Sequence, residues 1–192
     1  HATGPDSPQM AATLKMLDGR IAEILERAKK EALSLNLVIV SDHGMTAVKH
    51  DHVLVLNDSL DLDKVQVDFD GAVAGLRPLD GDVDGLMRRL AKLPAPLHAY
   101  RKAELPAHLA LGENPRQPPV WILADPGWEV EKRSLVNSVK EHLTRGEHGY
   151  DPLVADMRGI LIVNGPAFRS DGFVAEPIEN IHIYNLLCAV AG

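Results

Sequence analysis

Asp42-His43-Gly44 follows directly on the apolar run Leu37-Val38-Ile39-Val40. In open α/β sheets ligands bind beyond the carboxyl ends of strands, so a carboxylate and an imidazole here stand where a site is expected. Asp offers an oxygen and His a ring nitrogen, both good zinc ligands. Adjacent side chains usually diverge, but a sharp turn eased by Gly44 lets both approach one ion. Taken alone, the dipeptide reads more simply as a capping or turn Asp beside an unrelated His. His148-Gly149-Tyr150-Asp151-Pro152, after the helix-like Ser134 to Leu143, is a second candidate. His1-Ala2-Thr3-Gly4-Pro5, just before a helix start, is a third. Neither has force by itself. Asp151 is placed to orient the His148 ring by a hydrogen bond, although Pro152 suits a turn-former equally well. Tyr150 and Trp128 are candidate walls of a substrate pocket; for Trp128, core packing is the better reading. His50 and His52 flank Asp51 in a polar stretch and read as a solvated turn in preference to a third metal site. His98, His108, His142 and His182 read as structural or surface residues.

The elements that must position these residues alternate helix and strand. From Pro8 to Lys30, Met10, Leu14, Leu17, Ile21, Ile24 and Ala28 recur at three- and four-residue steps, one face of an amphipathic helix with Ser7 as N-cap. Leu37 to Val40, apolar without alternation, predicts a strand buried on both faces. Lys64 to Phe69 and Ala72 to Leu76 predict short strands, and Val83 to Leu93 a helix. The proline-rich stretch from Leu93 to Pro119, including Pro94, predicts loop and edge structure. Val120 to Ala124 and Gly159 to Val163 predict strands, the second buried. Pro177 to Ala191 predicts a closing buried helix with Cys188 as a small core residue. Helix and strand in alternation mark the α/β class.

The chain has 192 residues, 45% hydrophobic and 24% charged, with a net charge of -7. That balance argues against binding a nucleic-acid duplex, which needs surplus Lys and Arg. An acidic protein still acts on small phosphate esters when metal ions supply positive charge locally. A single cysteine excludes an intrachain disulfide framework and a Cys-based zinc site. No stretch is long and apolar enough to span a bilayer as a helix. His1 is not an initiator Met and no signal segment precedes it, so the sequence reads as starting inside a protein.

Taken together, the motifs resemble the nucleotide pyrophosphatase/phosphodiesterases of the alkaline phosphatase superfamily. The resemblance covers nearly the whole chain: His1-x-x-Gly4-Pro5, Leu37 to Met45, Arg101-Lys102-Ala103-Glu104-Leu105-Pro106, Asn114-Pro115-Arg116, Gly127-Trp128 and His148-Gly149-Tyr150-Asp151. Met157-Arg158, Gly165-Pro166-Ala167-Phe168 and Glu179-Asn180-Ile181 with Tyr184-Asn185-Leu186 complete it.

The resemblance implies an alkaline-phosphatase-like fold, a mixed, largely parallel sheet flanked by helices. It makes residues 1–192 the carboxy-terminal part of a single catalytic domain whose upstream half is absent. It implies two Zn²⁺ ions, one held by an Asp with His1 and His148, the other by two Asp, a His and a nucleophilic Thr, of which Asp42 and His43 are present. The remaining ligands and the Thr belong upstream; Thr3, Thr13 and Thr46 do not stand in the family's nucleophile motif. A metal pair about 4 Å apart clamps the attacking and leaving oxygens of an in-line displacement. The implied substrate is a small nucleotide-like phosphodiester. Lipid or choline phosphodiesters, and phosphonates or phosphomonoesters, are alternatives within the superfamily. A non-catalytic fragment is the alternative of another class. Family analogy implies a periplasmic or extracellular location.

Overall fold

In the computed structural model, which describes residues 2–93, 96–111, 114–138 and 146–192, the heptad-like apolar spacing after Ser7 folds as helix α1 (Pro8–Lys30). Ser7 Oγ accepts from the Met10 N–H at 3.1 Å and donates to the Gly4 carbonyl at 3.1 Å. Pro8 opens the first turn, where a missing N–H costs nothing. The chain forms two compact units, His1–Met10 with Met45–Arg158 and Ala11–Gly44 with Gly159–Gly192.

The first unit carries β2 (Thr46–Ala47), β3 (Val53–Val55), α2 (Leu56–Ser59), β4 (Val65–Phe69), β5 (Val73–Pro78), α3 (Val83–Leu90) and β6 (Leu97–Arg101). It continues with β7 (Val120–Ala124), β8 (Glu129–Glu131), α4 (Arg133–Ser138) and β9 (Gly146–Glu147). Four strands make an antiparallel sheet in the order β4-β5-β7-β6. Strand alternation sends Ala74, Leu76, Val120 and Ile122 to one face, where they meet the fully buried Leu86 and the nearly buried Leu90 of α3. Asp82 caps α3, accepting from the Gly85 N–H at 2.8 Å. β3 pairs with β8 in parallel, and β2 with β9 antiparallel.

The second unit contains β1 (Leu37–Val40), β10 (Leu161–Asn164) and α5 (His182–Ala191), with most of α1. β1 and β10 pair antiparallel from Leu37↔Asn164 to Val40↔Leu161.

The α/β class agrees with the sequence reading; in place of one mixed, largely parallel sheet, the strands among the described residues pair in separate small sheets, antiparallel except β3 with β8. The expected edge structure in the proline-rich stretch is β6, at the sheet's rim. Pro94, His142 and the later part of the helix expected to reach Leu143 lie outside the described residues. Burial in the second unit differs from expectation. Val40 is 46% exposed and Ile162 55%, no residue of α5 is buried, and Cys188 is exposed. Apolar character predicts that a surface favours cover; whether cover exists is decided by which segments pack on it. The two-stranded ladder is covered only in part: Leu37, Val38 and Ile39 are half-buried, whereas Val40 and most of β10 are exposed.

Candidate metal-binding site

The turn after β1 is built by hydrogen bonds within its own unit. The Ser41 N–H donates to the Ile160 carbonyl at 3.1 Å, and the Ile160 N–H donates to Ser41 Oγ at 2.8 Å. Asn180 Nδ2 donates to the Asp42 carbonyl at 3.3 Å. Gly159 makes this contact possible, because a Cβ there would lie 2.8 Å from the Ser41 carbonyl oxygen. The turn so fixed presents both candidate ligands. Asp42 Oδ1 accepts from the His43 N–H at 3.0 Å, which leaves Oδ2 directed elsewhere.

His43 Nδ1 lies 2.7 Å from the Gly44 carbonyl. A carbonyl only accepts, so Nδ1 carries the proton and the neutral ring has its lone pair on Nε2. Nε2 stands 3.4 Å from Asp42 Oδ2. Two ligands at about 2.1 Å from one tetrahedral ion lie about 3.4 Å apart. The donor pair therefore fits a single zinc ion, with His43 ordered through its far nitrogen as zinc-bound histidines commonly are. A doubly protonated ring would make the same geometry an ion pair.

In the other unit, β9 leads directly into His148, whose N–H donates to Glu147 Oε1 at 2.8 Å. The β2–β9 ladder pairs Thr46 with Glu147 and Ala47 with Gly146. It thus ties the segment after Asp42-His43-Gly44-Met45 to the segment before His148. Gly146 permits a close approach: a Cβ there would meet Met45 Sδ at 2.7 Å and Gly4 Cα at 3.2 Å. Flanking residues of all three motifs, Gly4, Met45 and Gly146, therefore meet at one place in one unit. Gly4 has φ 75° and Gly149 φ 94°, backbone that favours glycine in both turns.

His1 lies outside the described residues. Asp42 and His43 belong to one unit and His148 to the other. Among the described residues no three of His, Cys, Asp and Glu form a metal-holding group; the expected set includes His1 and ligands from both units. The Asp151 carboxylate has partners other than a ring at position 148. Its Oδ2 is 2.7 Å from His108 Nε2, and Oδ1 accepts from the Leu153 N–H at 2.9 Å, the turn-forming role Pro152 suggested. Tyr150 is buried and donates to the Trp128 carbonyl at 3.0 Å. Burial, with the Glu129 carboxylate adding to it, pushes its phenol well above the ordinary range. Trp128 packs against the core and stacks on His52, ring centres 4.3 Å apart. His52 is thus a packing residue and not part of a solvated turn.

Two features escaped sequence reading. Thr46 Oγ1 donates to Asp156 across 110 residues, and no local pattern announces such a bond. Glu129 and Glu131 are both buried, although strand alternation would have placed Val130 inside and both carboxylates outside. Their strand β8 lies between the parallel partner β3 and an antiparallel bridge from Gly71 to Val130.

An α/β fold with a carboxylate and an imidazole just beyond a strand's carboxyl end places two possible metal ligands where such folds hold their ligands. The chain belongs to the type I phosphodiesterase / nucleotide pyrophosphatase family, whose model matches residues 1–151. It is 34% identical over 190 residues to ectonucleotide pyrophosphatase/phosphodiesterase family member 5 of Homo sapiens, covering 98% of this chain and 39% of that protein. It is 29% identical over 195 residues to a bis(5'-adenosyl)-triphosphatase of Xenopus laevis, covering 100% of this chain and 41% of that one. The solved structure of human family member 5 superposes with a TM-score of 0.89 at 32% identity, over 99% of this chain and 50% of its own. An inactive threonine-to-alanine variant of the murine protein, solved with AMP, superposes with the same score. The chain spans about two-fifths of its curated relatives and half of the solved chains.

Proposed function

We propose that the protein is a two-zinc phosphodiesterase acting on nucleotide-like phosphodiester or pyrophosphate bonds. The observation that carries this reading is the 3.4 Å separation of His43 Nε2 and Asp42 Oδ2, with Nδ1 bound to the Gly44 carbonyl. Family membership and the meeting of Gly4, Met45 and Gly146 support it. Asp42 and His43 would hold one ion, and His1 and His148 the other. Bound zinc would lower the pKa of a nucleophilic hydroxyl and stabilise the leaving oxygen.

The chain's own residues present neutral imidazoles and a carboxylate in a fixed turn. That turn is held by Ser41, Ile160 and Asn180, so the ligands need little reorganisation when they bind. The nucleophile is a threonine contributed from outside these 192 residues, in keeping with the threonine variant of the murine relative being inactive. A nucleotide is favoured over a lipid or choline ester because a relative is a bis(5'-adenosyl)-triphosphatase and a solved neighbour holds AMP. An exported location is proposed with it on family analogy alone.

The test is turnover by the intact protein of p-nitrophenyl thymidine monophosphate against p-nitrophenyl phosphorylcholine, with metal analysis of the same sample. About two zinc ions per chain and preference for the nucleotide ester are expected. Preference for the choline ester would move the substrate to the lipid branch, and absence of zinc with full activity would defeat the metal reading.

A further inference from the structure

The four-stranded sheet has a second face, and it is not the polar face expected of a sheet solvated on one side. Away from α3, the register aligns Val73, Leu123 and His98 in one row and Trp121 beside Tyr100 in the next. Loops carrying Pro106, Leu109 and Leu111 stand over these rows on one side, and Gly149 to Val154 on the other. They enclose a cavity of about 630 Å³. That is the size of a small-molecule site, and its walls are mainly apolar.

Its charge is one-sided. Among the described residues the lining holds two carboxylates, Asp125 and Asp151, and neither Lys nor Arg. Each carboxylate has a histidine beside it, His98 at 3.0 Å from Asp125 and His108 at 2.7 Å from Asp151. A neutral imidazole donates one hydrogen bond and leaves the negative charge in place. Asp151 uses both oxygens, on His108 and the Leu153 N–H. Asp125 uses only Oδ1, and its Oδ2 accepts no hydrogen bond from the described residues. Tyr100 and Trp121 also line the cavity, and the face of an aromatic ring attracts cations and repels anions.

We propose that this cavity is a binding site for a small organic cation, an ammonium group on an aromatic or aliphatic body, with Asp125 receiving the head and the Tyr100–Trp121–Leu123 floor the body. A phosphate ester is the wrong ligand for it, since two carboxylates line the space and, among the described residues, no Lys or Arg does. The site is therefore distinct in chemistry from the proposed zinc centre, and it does not depend on that centre being correct.

The test is calorimetric titration of the intact protein with three probes sharing one ring system: 1-naphthylmethylammonium, 1-naphthylmethanol and 1-naphthylacetate. The ammonium should bind about tenfold tighter than the alcohol, and the acetate should not bind measurably. Asp125→Asn should weaken the ammonium about fivefold and leave the alcohol unchanged. Leu123→Trp should fill the cavity and abolish binding of both. Should that variant fail to fold by circular dichroism, Leu109→Trp in the loop wall serves the same purpose. Equal affinity for ammonium and alcohol, binding that survives cavity filling in a folded variant, or no binding of any probe would overturn the proposal.

Discussion

A histidine that is to hold a cation must keep a lone pair pointed at it, and for His43 the Gly44 carbonyl secures this by engaging Nδ1. His43→Ala and His148→Ala should each leave the circular dichroism spectrum unchanged while zinc content falls and turnover drops about a hundredfold or more. A fully active His148→Ala protein would remove that residue from the site. Activity should also fail on acidification, because protonated imidazoles cannot ligate. Glu131 predicts the opposite slope for stability. Burial, then the neighbouring Asp70, Glu129 and Glu147, raise its carboxyl from the ordinary 4.5 to about 7, with Lys132 opposing. Its Oε2 is buried without a hydrogen bond among the described residues. The folded state therefore holds this proton more tightly than the unfolded chain. The stability this group contributes is fully present below pH 4.5, falls as pH rises from 4.5 to 7, and is lost above 7. Glu131→Gln should raise stability by about 1–2 kcal/mol at pH 8 and by almost nothing at pH 4. Denaturant titrations at the two pH values measure this.

At the scale of elements, the short β2–β9 ladder has only two residue pairs, so side-chain bonds matter to it. Thr46, 4% exposed, donates to Asp156, the middle residue of the 3-10 turn Ala155–Met157. Thr46→Val should destabilise by about 1–2 kcal/mol, since it removes a hydrogen bond to a carboxylate at a buried position. Gly159 is the corresponding point in the other unit. A Cβ there meets backbone, the Ser41 carbonyl at 2.8 Å, and backbone cannot swing aside as a side chain can. Gly159→Ala should therefore displace the Ser41–Asp42 turn and weaken zinc binding about tenfold, a loss read by competition with a chelator. By contrast, the Cβ of Gly146→Ala would meet chiefly the Met45 thioether, which is flexible, although Gly4 Cα is also close.

For the whole molecule, surface character separates the two units. Val174 is 88% exposed and Ile181 73%, both in the second unit, whereas Leu56, Leu76, Leu86 and Ile122 of the first are fully buried. An exposed apolar surface of this extent binds hydrophobic dyes. The 192-residue chain should enhance the fluorescence of anilinonaphthalene sulfonate while folded, and Ile162→Lys with Ile181→Lys should reduce that signal by about half or more.

The sequence by itself determined where several elements lie, though α5 begins at His182 and not at Pro177, and the short strands β2, β3, β8 and β9 were not legible in it. α1 starts at the proline after Ser7, β1 is Leu37–Val40, and Asp42-His43 stands just beyond its end, because periodicity, capping and strand-end placement are local properties. Only the tertiary structure decided what covers what. Leu37 to Val40 and the Cys188 helix are as apolar as any core segment yet are not buried, while Glu129 and Glu131 are polar and are enclosed. The partners of Asp151 and Thr46 lie 43 and 110 residues away. Burial and long-range hydrogen bonds depend on contacts between distant segments, and no local window of sequence contains both sides of such a contact.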